Sequence, residues 1–287
     1  MKLAGLQKLT LLDFPGELAC TVFTQGCNMR CPFCQNADLV LPDRFAENAQ
    51  IPEEEFFRFL EGRKGRLGGV AITGGEPTLH SDLPDFMRKI REMGFRVKLD
   101  TNGTNPGMLK QIVGEGLADY VAMDVKNTMA KYPLTVGIPD AEQQMLGKIR
   151  ESIAFLMEDT VPYEFRTTVV GGLHTAEDIE DMARQLQGAK AWYLQQFRSG
   201  DNLVGFPGDA GMGRDTGAMQ GTGAGKAAGT GQDAVDAGRD TGTDQVAVDA
   251  ENTAGRGLSL ESPSGQLLLQ MRDAARRYVP SAEVRGI

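Results

Sequence analysis

Six short runs rich in β-branched and aromatic residues recur along the chain with helical patterns between them: Leu18–Thr24, Gly69–Thr73, Phe95–Thr101, Asp119–Asp124, Tyr163–Val170 and Ala191–Phe197. Strands separated by helix-length segments cannot pair through tight hairpins, so this alternation predicts repeated β-α units and a parallel sheet. Stripes at helical spacing fill the gaps at Leu83, Phe86, Met87, Ile90 and Met93, at Met145, Ile149, Ser152, Ile153 and Leu156, and at Ile179, Met182, Ala183 and Leu186. Thr175-Ala176-Glu177-Asp178 joins a hydroxyl cap to an acidic first turn, and Pro106 after Asn105 suits a helix opening. The prediction is an α/β fold, an incomplete (β/α)6-type barrel. A doubly wound sheet is the alternative, because periodicity does not reveal strand order.

Residues 1–200 read as the core. Between 201 and 260 the composition changes: 14 glycines stand among Asp, Thr and Ala, and Phe206 is the single aromatic. Such a segment buries too little apolar surface to offset its ordering entropy, so it reads as a long, disordered, low-complexity insertion. Gly225-Lys226 is followed by Ala227 rather than a hydroxyl residue, which argues against a phosphate loop. Order returns in 261–287, where Leu267, Leu268, Leu269, Met271, Ala274, Ala275 and Tyr278 suggest a helix before a short tail that completes the core.

A formal net charge of −9 and the lack of any Lys/Arg stripe argue against nucleic acid as a partner. No apolar run approaches the ~20 residues a membrane span requires, and no signal-peptide pattern follows Met1, so the expectation is a cytoplasmic protein.

Three of the four cysteines stand in Cys27-Asn28-Met29-Arg30-Cys31-Pro32-Phe33-Cys34. Soft thiolates at this spacing select zinc, copper or an iron–sulfur centre. Neither His80 nor His174 is spaced to complete a zinc finger, and both read as loop residues with poor claims to catalysis. Cys20, in an apolar stretch, reads as buried and inert. Gly74-Gly75-Glu76-Pro77 follows the second predicted strand at the end where β/α enzymes place ligand loops. Its paired glycines would let backbone approach a small charged ligand, and Glu76 could accept from an ammonium or orient the loop. By itself, GGEP could also be a simple turn.

With the segments Leu11–Gly16, Phe23–Asn36, Thr73–Pro77, Asp100–Gly103, Met123–Lys126 and Tyr193–Phe197, the chain resembles the radical S-adenosylmethionine enzymes, and more narrowly the activating enzymes of anaerobic ribonucleoside-triphosphate reductase. The resemblance implies a [4Fe-4S] cluster on Cys27, Cys31 and Cys34 whose open iron takes the amino and carboxylate groups of S-adenosylmethionine. It further implies that Gly74, Gly75 and Glu76 line the methionine-amino pocket, that Phe33 borders the adenine, and that Asp124, Lys126 and Arg166 contact cofactor hydroxyl and carboxylate groups. Asp100, Thr101 and Asp124 resemble a monovalent-cation site. From the residues alone, Asp124 and Lys126 could equally form an ordinary salt bridge, and Glu164 with Arg166 the exposed face of an edge strand. The partner implied is a glycyl-radical enzyme, with flavodoxin or ferredoxin as electron donor. Alternatives are another glycyl-radical enzyme as target, a small-molecule substrate as in the deazapurine-forming branch, and a metal-stabilised interaction module.

Overall fold

The computed structural model describes residues 1–47, 50–138, 143–200, 202–205 and 259–286. The expectation of disorder for 201–260 falls almost wholly outside them. Eight strands form one sheet in chain order: β1 (Leu3–Thr10), β2 (Ala19–Thr24), β3 (Gly69–Gly74), β4 (Arg96–Thr101), β5 (Tyr120–Asp124), β6 (Tyr163–Val169), β7 (Trp192–Gln196) and β8 (Ala282–Arg285). β1 runs antiparallel to β2, and every other neighbouring pair is parallel. The helices are α1 (Ala37–Val40), α2 (Glu53–Glu61), α3 (Leu83–Glu92), α4 (Pro106–Gly114), α5 (Tyr132–Thr135), α6 (Gln143–Met157), α7 (Ala176–Gln185) and α8 (Gly265–Ala275).

The six predicted strands are β2 to β7, and the ends of the chain add two more. In β1 only Leu3 and Thr10 are buried, so it carries no period-two stripe, and β8 has four residues. A doubly wound sheet needs a reversal in strand order. Here β2 to β8 follow one another without reversal, so crossovers of a single hand put the helices on one face and leave the other to line a barrel interior. β1 and β8 remain separate edges, so the barrel is incomplete.

The two faces differ sharply in chemistry. Val22, Val70, Ile72, Val97, Leu99, Val121, Met123, Phe165 and Leu194 alternate onto the helix-covered face and are fully buried. Trp192 joins them, its indole N–H donating to Thr167 Oγ1 at 3.0 Å, so the largest buried ring leaves no orphan donor. The opposite face carries Lys98, Asp100, Asp124, Glu164, Arg166 and Gln195, with Asp124 beside Arg166 and Gln195 beside Arg285 in register. A charged inner face is costly unless its members pair or line a solvent-filled cleft, and both happen here.

At the N-terminal end of the parallel strands the Asp13-Phe14 turn closes the barrel. Asp13 accepts from Thr21 Oγ1 at 2.6 Å, while buried Phe14 packs over Gly69 and tilts against Tyr120. This part of the motif-bearing N-terminal segment is therefore a plug, opposite the end where the cysteines lie.

Helix starts follow the sequence cues. Asn105 caps α4 by accepting from the Met108 N–H, and Thr175 with Asp178 forms a reciprocal capping box on α7. Thr175→Ala is expected to lower stability by about 1 kcal/mol, read from urea unfolding. Among the described residues no helix is long and apolar enough to cross a membrane.

Candidate functional site

The loop after β2 carries the three cysteines, all free thiols. Its turns are held from within: Cys34 N–H donates to Cys31 O at 2.9 Å, and the Arg30 guanidinium donates to the carbonyls of Cys27 and Met29 at 2.7 and 2.8 Å. Arg30 N–H also donates to Val136 O, docking the loop on the segment after α5. Burial pushes the Cys31 thiol up to about 12 and the Cys27 thiol up to about 11, although Lys126 pulls both the other way. Thiolates buried this deeply need a strong positive partner, which metal coordination supplies. Among the described residues no three His, Cys, Asp or Glu groups gather as ligands of a single ion; thiolates on a cluster bind separate irons and need not converge on one point. Cys20 is fully buried, its thiol likewise pushed up to about 12 by burial.

At the end of β3 the paired glycines also meet backbone. A side chain on Gly74, at φ 121°, would overlap the Thr24 backbone, and one on Gly75 would overlap the Gly26 carbonyl. Gly75 N–H donates to Thr24 O at 2.9 Å and Glu76 N–H to Gly26 O at 2.8 Å. The glycines thus let the GGEP segment lie directly on the root of the cysteine loop. Glu76 is buried, and its oxygens accept from Thr78 N–H (3.1 Å), Thr78 Oγ1 (2.5 Å), Thr101 Oγ1 (2.7 Å) and Asn102 N–H (2.6 Å). Burial pushes its carboxyl up, while these four donors favour the ionised form. Glu76 therefore braces the ends of β3 and β4. Gly75→Ala is expected to displace the cysteine loop, since the added Cβ overlaps the Gly26 carbonyl at an overpacking cost of about 1–3 kcal/mol, and to lower iron loading about tenfold; iron content per folded protein measures it.

Across β4, β5 and β6 runs an alternating ladder of charge. Lys98 pairs with Asp100, Asp100 with Arg166 Nη1 (3.0 Å), Arg166 Nε with Asp124 (3.0 Å) and Asp124 with Lys126 (2.8 Å). Burial would raise the Asp124 carboxyl, but Arg166 and Lys126 outweigh it and hold it well below the ordinary carboxylate range; Asp100 is held low by Arg166 and Lys98 in the same way. Asp100, Thr101 and Asp124, which resembled a monovalent-cation site, all belong to this network. All four carboxylate oxygens already carry cationic side chains, and Thr101 Oγ1 donates to Glu76. The Asp124–Lys126 salt bridge left open by the sequence is present.

Glu164 and Arg166 are not an exposed edge. β6 lies between β5 and β7, and Glu164, 1% exposed, pairs with Arg285 of β8 at 3.0 Å and accepts from Tyr120 Oη at 3.1 Å. His174 is likewise no surface residue. It is 5% exposed, its Nδ1 accepts from Val170 N–H at 3.1 Å, and its Nε2–H must then donate to Lys126 O at 2.7 Å. Burial lowers its pKa, keeping this neutral tautomer. With Tyr132 Oη accepting from Lys126 N–H at 3.2 Å, the Lys126 backbone is gripped on both sides. His80 is half-buried and donates to Gln25 O at 3.0 Å.

All the sequence-predicted site residues line one cavity of about 440 Å³ at the C-terminal ends of the strands: Cys27, Cys31, Phe33, Cys34, Gly74, Gly75, Glu76, Asp100, Thr101, Asp124, Lys126 and Arg166. Asn102, Thr168, Gln195, Phe197 and Arg198 also face it and were missed as site residues. Asn102, Gln195 and Phe197 lay in segments that the resemblance singled out, but nothing in their type or spacing marked them.

Fold and cavity together define a partial-barrel enzyme that sets three soft ligands above a floor of paired charges. The Radical SAM superfamily pattern matches residues 21–186, and the chain belongs to that superfamily. Enzymes of this family use a [4Fe-4S] cluster and S-adenosylmethionine, which are this chain's cofactors, and the free thiols and charged cavity fit them. The chain is 34% identical over 199 residues to a protein of Methanocaldococcus jannaschii provisionally named a glycyl-radical enzyme activating enzyme, covering 69% of this chain and 80% of that one. It is 29% identical over 180 residues to a 7-carboxy-7-deazaguanine synthase of Methanopyrus kandleri, covering 56% and 70%. A radical SAM methyltransferase structure from Sphaerobacter thermophilus shares the fold at TM-score 0.57 and 14% identity, over 95% of this chain and 67% of that one.

Proposed function

We propose that this radical SAM enzyme activates a glycyl-radical enzyme, and that its target is an anaerobic ribonucleoside-triphosphate reductase. The observation that carries the reading is the similarity to the glycyl-radical activating relative, which extends over 80% of that protein. Once Cys27, Cys31 and Cys34 are used, Cys20 alone remains, so the chain has no cysteine set for an auxiliary cluster.

When bound, the reduced cluster and S-adenosylmethionine supply a 5′-deoxyadenosyl radical, able to take a hydrogen atom from a glycine Cα. Cys27, Cys31 and Cys34 would hold the cluster. Gly74 and Gly75 would border the methionine amino group, with Glu76 bracing their loop. Lys126 and Arg166 would face the cofactor's carboxylate, Asp124 its hydroxyls, and Phe33, buried between two ligands, would shield the cluster or border the adenine. Asp124, Lys126 and Arg166 are already paired with one another, so none of them needs to gain or lose a proton when the cofactor binds; the protons that leave are those of the three cysteine thiols as they take up the cluster. The protein's part is to orient and to exclude water. Flavodoxin or ferredoxin would supply the electron.

Incubating the reconstituted, reduced protein and S-adenosylmethionine with the reductase should give a glycyl-radical EPR doublet. Its persistent absence, with cofactor cleavage intact, would refute this target. A deazaguanine synthase activity, favoured by the second relative, would then be tested by product formation from a small-molecule substrate.

A further inference from the structure

Asn102, immediately after β4, is 6% exposed and every polar atom of its side chain is used. Its Oδ1 accepts from Thr104 N–H at 3.0 Å and Thr104 Oγ1 at 2.7 Å. A backbone N–H can only donate, so this bond fixes the amide's orientation and turns Nδ2 toward the cysteine loop. One Nδ2–H donates to Asn28 Oδ1 at 2.9 Å, and Nδ2 lies 3.9 Å from Cys27 Sγ, within reach of an N–H···S bond. Asn28 Nδ2 donates in turn to Thr104 Oγ1 at 2.9 Å, closing a ring of three side chains around this contact. The Asn102 backbone N–H is tied to Glu76. Cys27 Sγ receives a second donor, Met29 N–H, at 3.4 Å.

We propose that Asn102 is a positioning residue that tunes the cluster's reduction potential through its N–H···S bond to Cys27. The inference rests on the reading of Cys27 as a cluster ligand. A donor to a ligand sulfur stabilises the more negative, reduced state and so raises the potential, and it does so more strongly in a site sheltered from water. Glu76 and Thr104 hold Asn102 in place, so the donor is set before any cofactor binds.

The test is an EPR-monitored redox titration of the reconstituted wild type, Asn102→Ala and Thr104→Val. Thr104→Val keeps the backbone N–H that orients Asn102 but opens the side-chain ring, so it separates loss of the sulfur donor from loosening of the loop. The expected result is a shift to more negative potential in Asn102→Ala and none in Thr104→Val. An unshifted Asn102→Ala potential, or equal shifts in both variants, would overturn the inference while leaving the cluster reading intact. Should Asn102→Ala fail to load, pulsed EPR of the reduced wild type carrying 15N in its asparagine side-chain amides decides: a 15N coupling is expected, and its absence overturns the inference. A wild-type protein that takes up no cluster overturns the cluster reading itself, and this inference with it.

Discussion

Replacing any one of Cys27, Cys31 or Cys34 with alanine is expected to abolish iron and sulfide uptake while leaving the protein folded. A site-differentiated cluster has three protein ligands, and the loss of one soft donor exposes a second iron to solvent or exchange. The sheet does not depend on these residues, since their loop is stitched by Arg30, Asn28 and the glycine contacts with β3. Cys20→Ala provides the contrast. It lies near the start of β2 under the helices, away from the cysteine loop, so it should load iron like the wild type and lose about 1 kcal/mol of stability for the vacated volume. Iron and sulfide analysis with circular dichroism on all four variants measures both effects. Equal loading in a cluster-cysteine variant would contradict the assignment.

Arg166→Leu is expected to cost about 3–5 kcal/mol in unfolding free energy, since it strips two largely buried carboxylates of the cation they share. Arg166→Lys should recover part of this and no more, because an ammonium cannot span Asp100 and Asp124 as the guanidinium fork does. The penalty should also depend on pH, in a direction fixed by the ladder. In the wild type the Asp100 and Asp124 carboxyls are held below their unfolded values, so their contribution is full above about pH 4 and is lost as pH falls through the folded values. Without Arg166, the largest favourable partner of both carboxyls, that contribution is smaller at every pH, with Lys98 and Lys126 keeping the rest. The gap between variant and wild type should therefore narrow between pH 7 and pH 3 in urea titrations. A gap that stays constant would contradict the charge ladder.

Much of this was legible in the sequence because it is local. Thr175 and Asp178 stand three residues apart and form the capping box they advertise, Asn105 and Pro106 open α4, and the stripe from Leu83 to Ile90 is buried. The spacing of Cys27, Cys31 and Cys34 put three thiols in one loop. What was not legible depends on strand order. Lys98, Asp100, Asp124, Lys126 and Arg166 become a ladder only once β4, β5 and β6 are neighbours, and that ladder occupies the carboxylates that resembled a cation site. Glu164 looked exposed because its partner, Arg285, lies beyond the low-complexity segment. His174 gave no signal because it acts through the Lys126 carbonyl, and any residue type at position 126 would present one. The glycines of GGEP were read as room for a ligand; they line the cavity, and the sequence did not reveal that they also pack on the backbone at Thr24 and Gly26.

The most direct test is formation of 5′-deoxyadenosine from S-adenosylmethionine by the anaerobically reconstituted, reduced protein, with Cys31→Ala as control and with and without a candidate glycyl-radical partner. Cluster-dependent 5′-deoxyadenosine that is absent from the control is the predicted result. Protein that holds a reducible [4Fe-4S] cluster yet forms none, alone or with partner, would contradict the account.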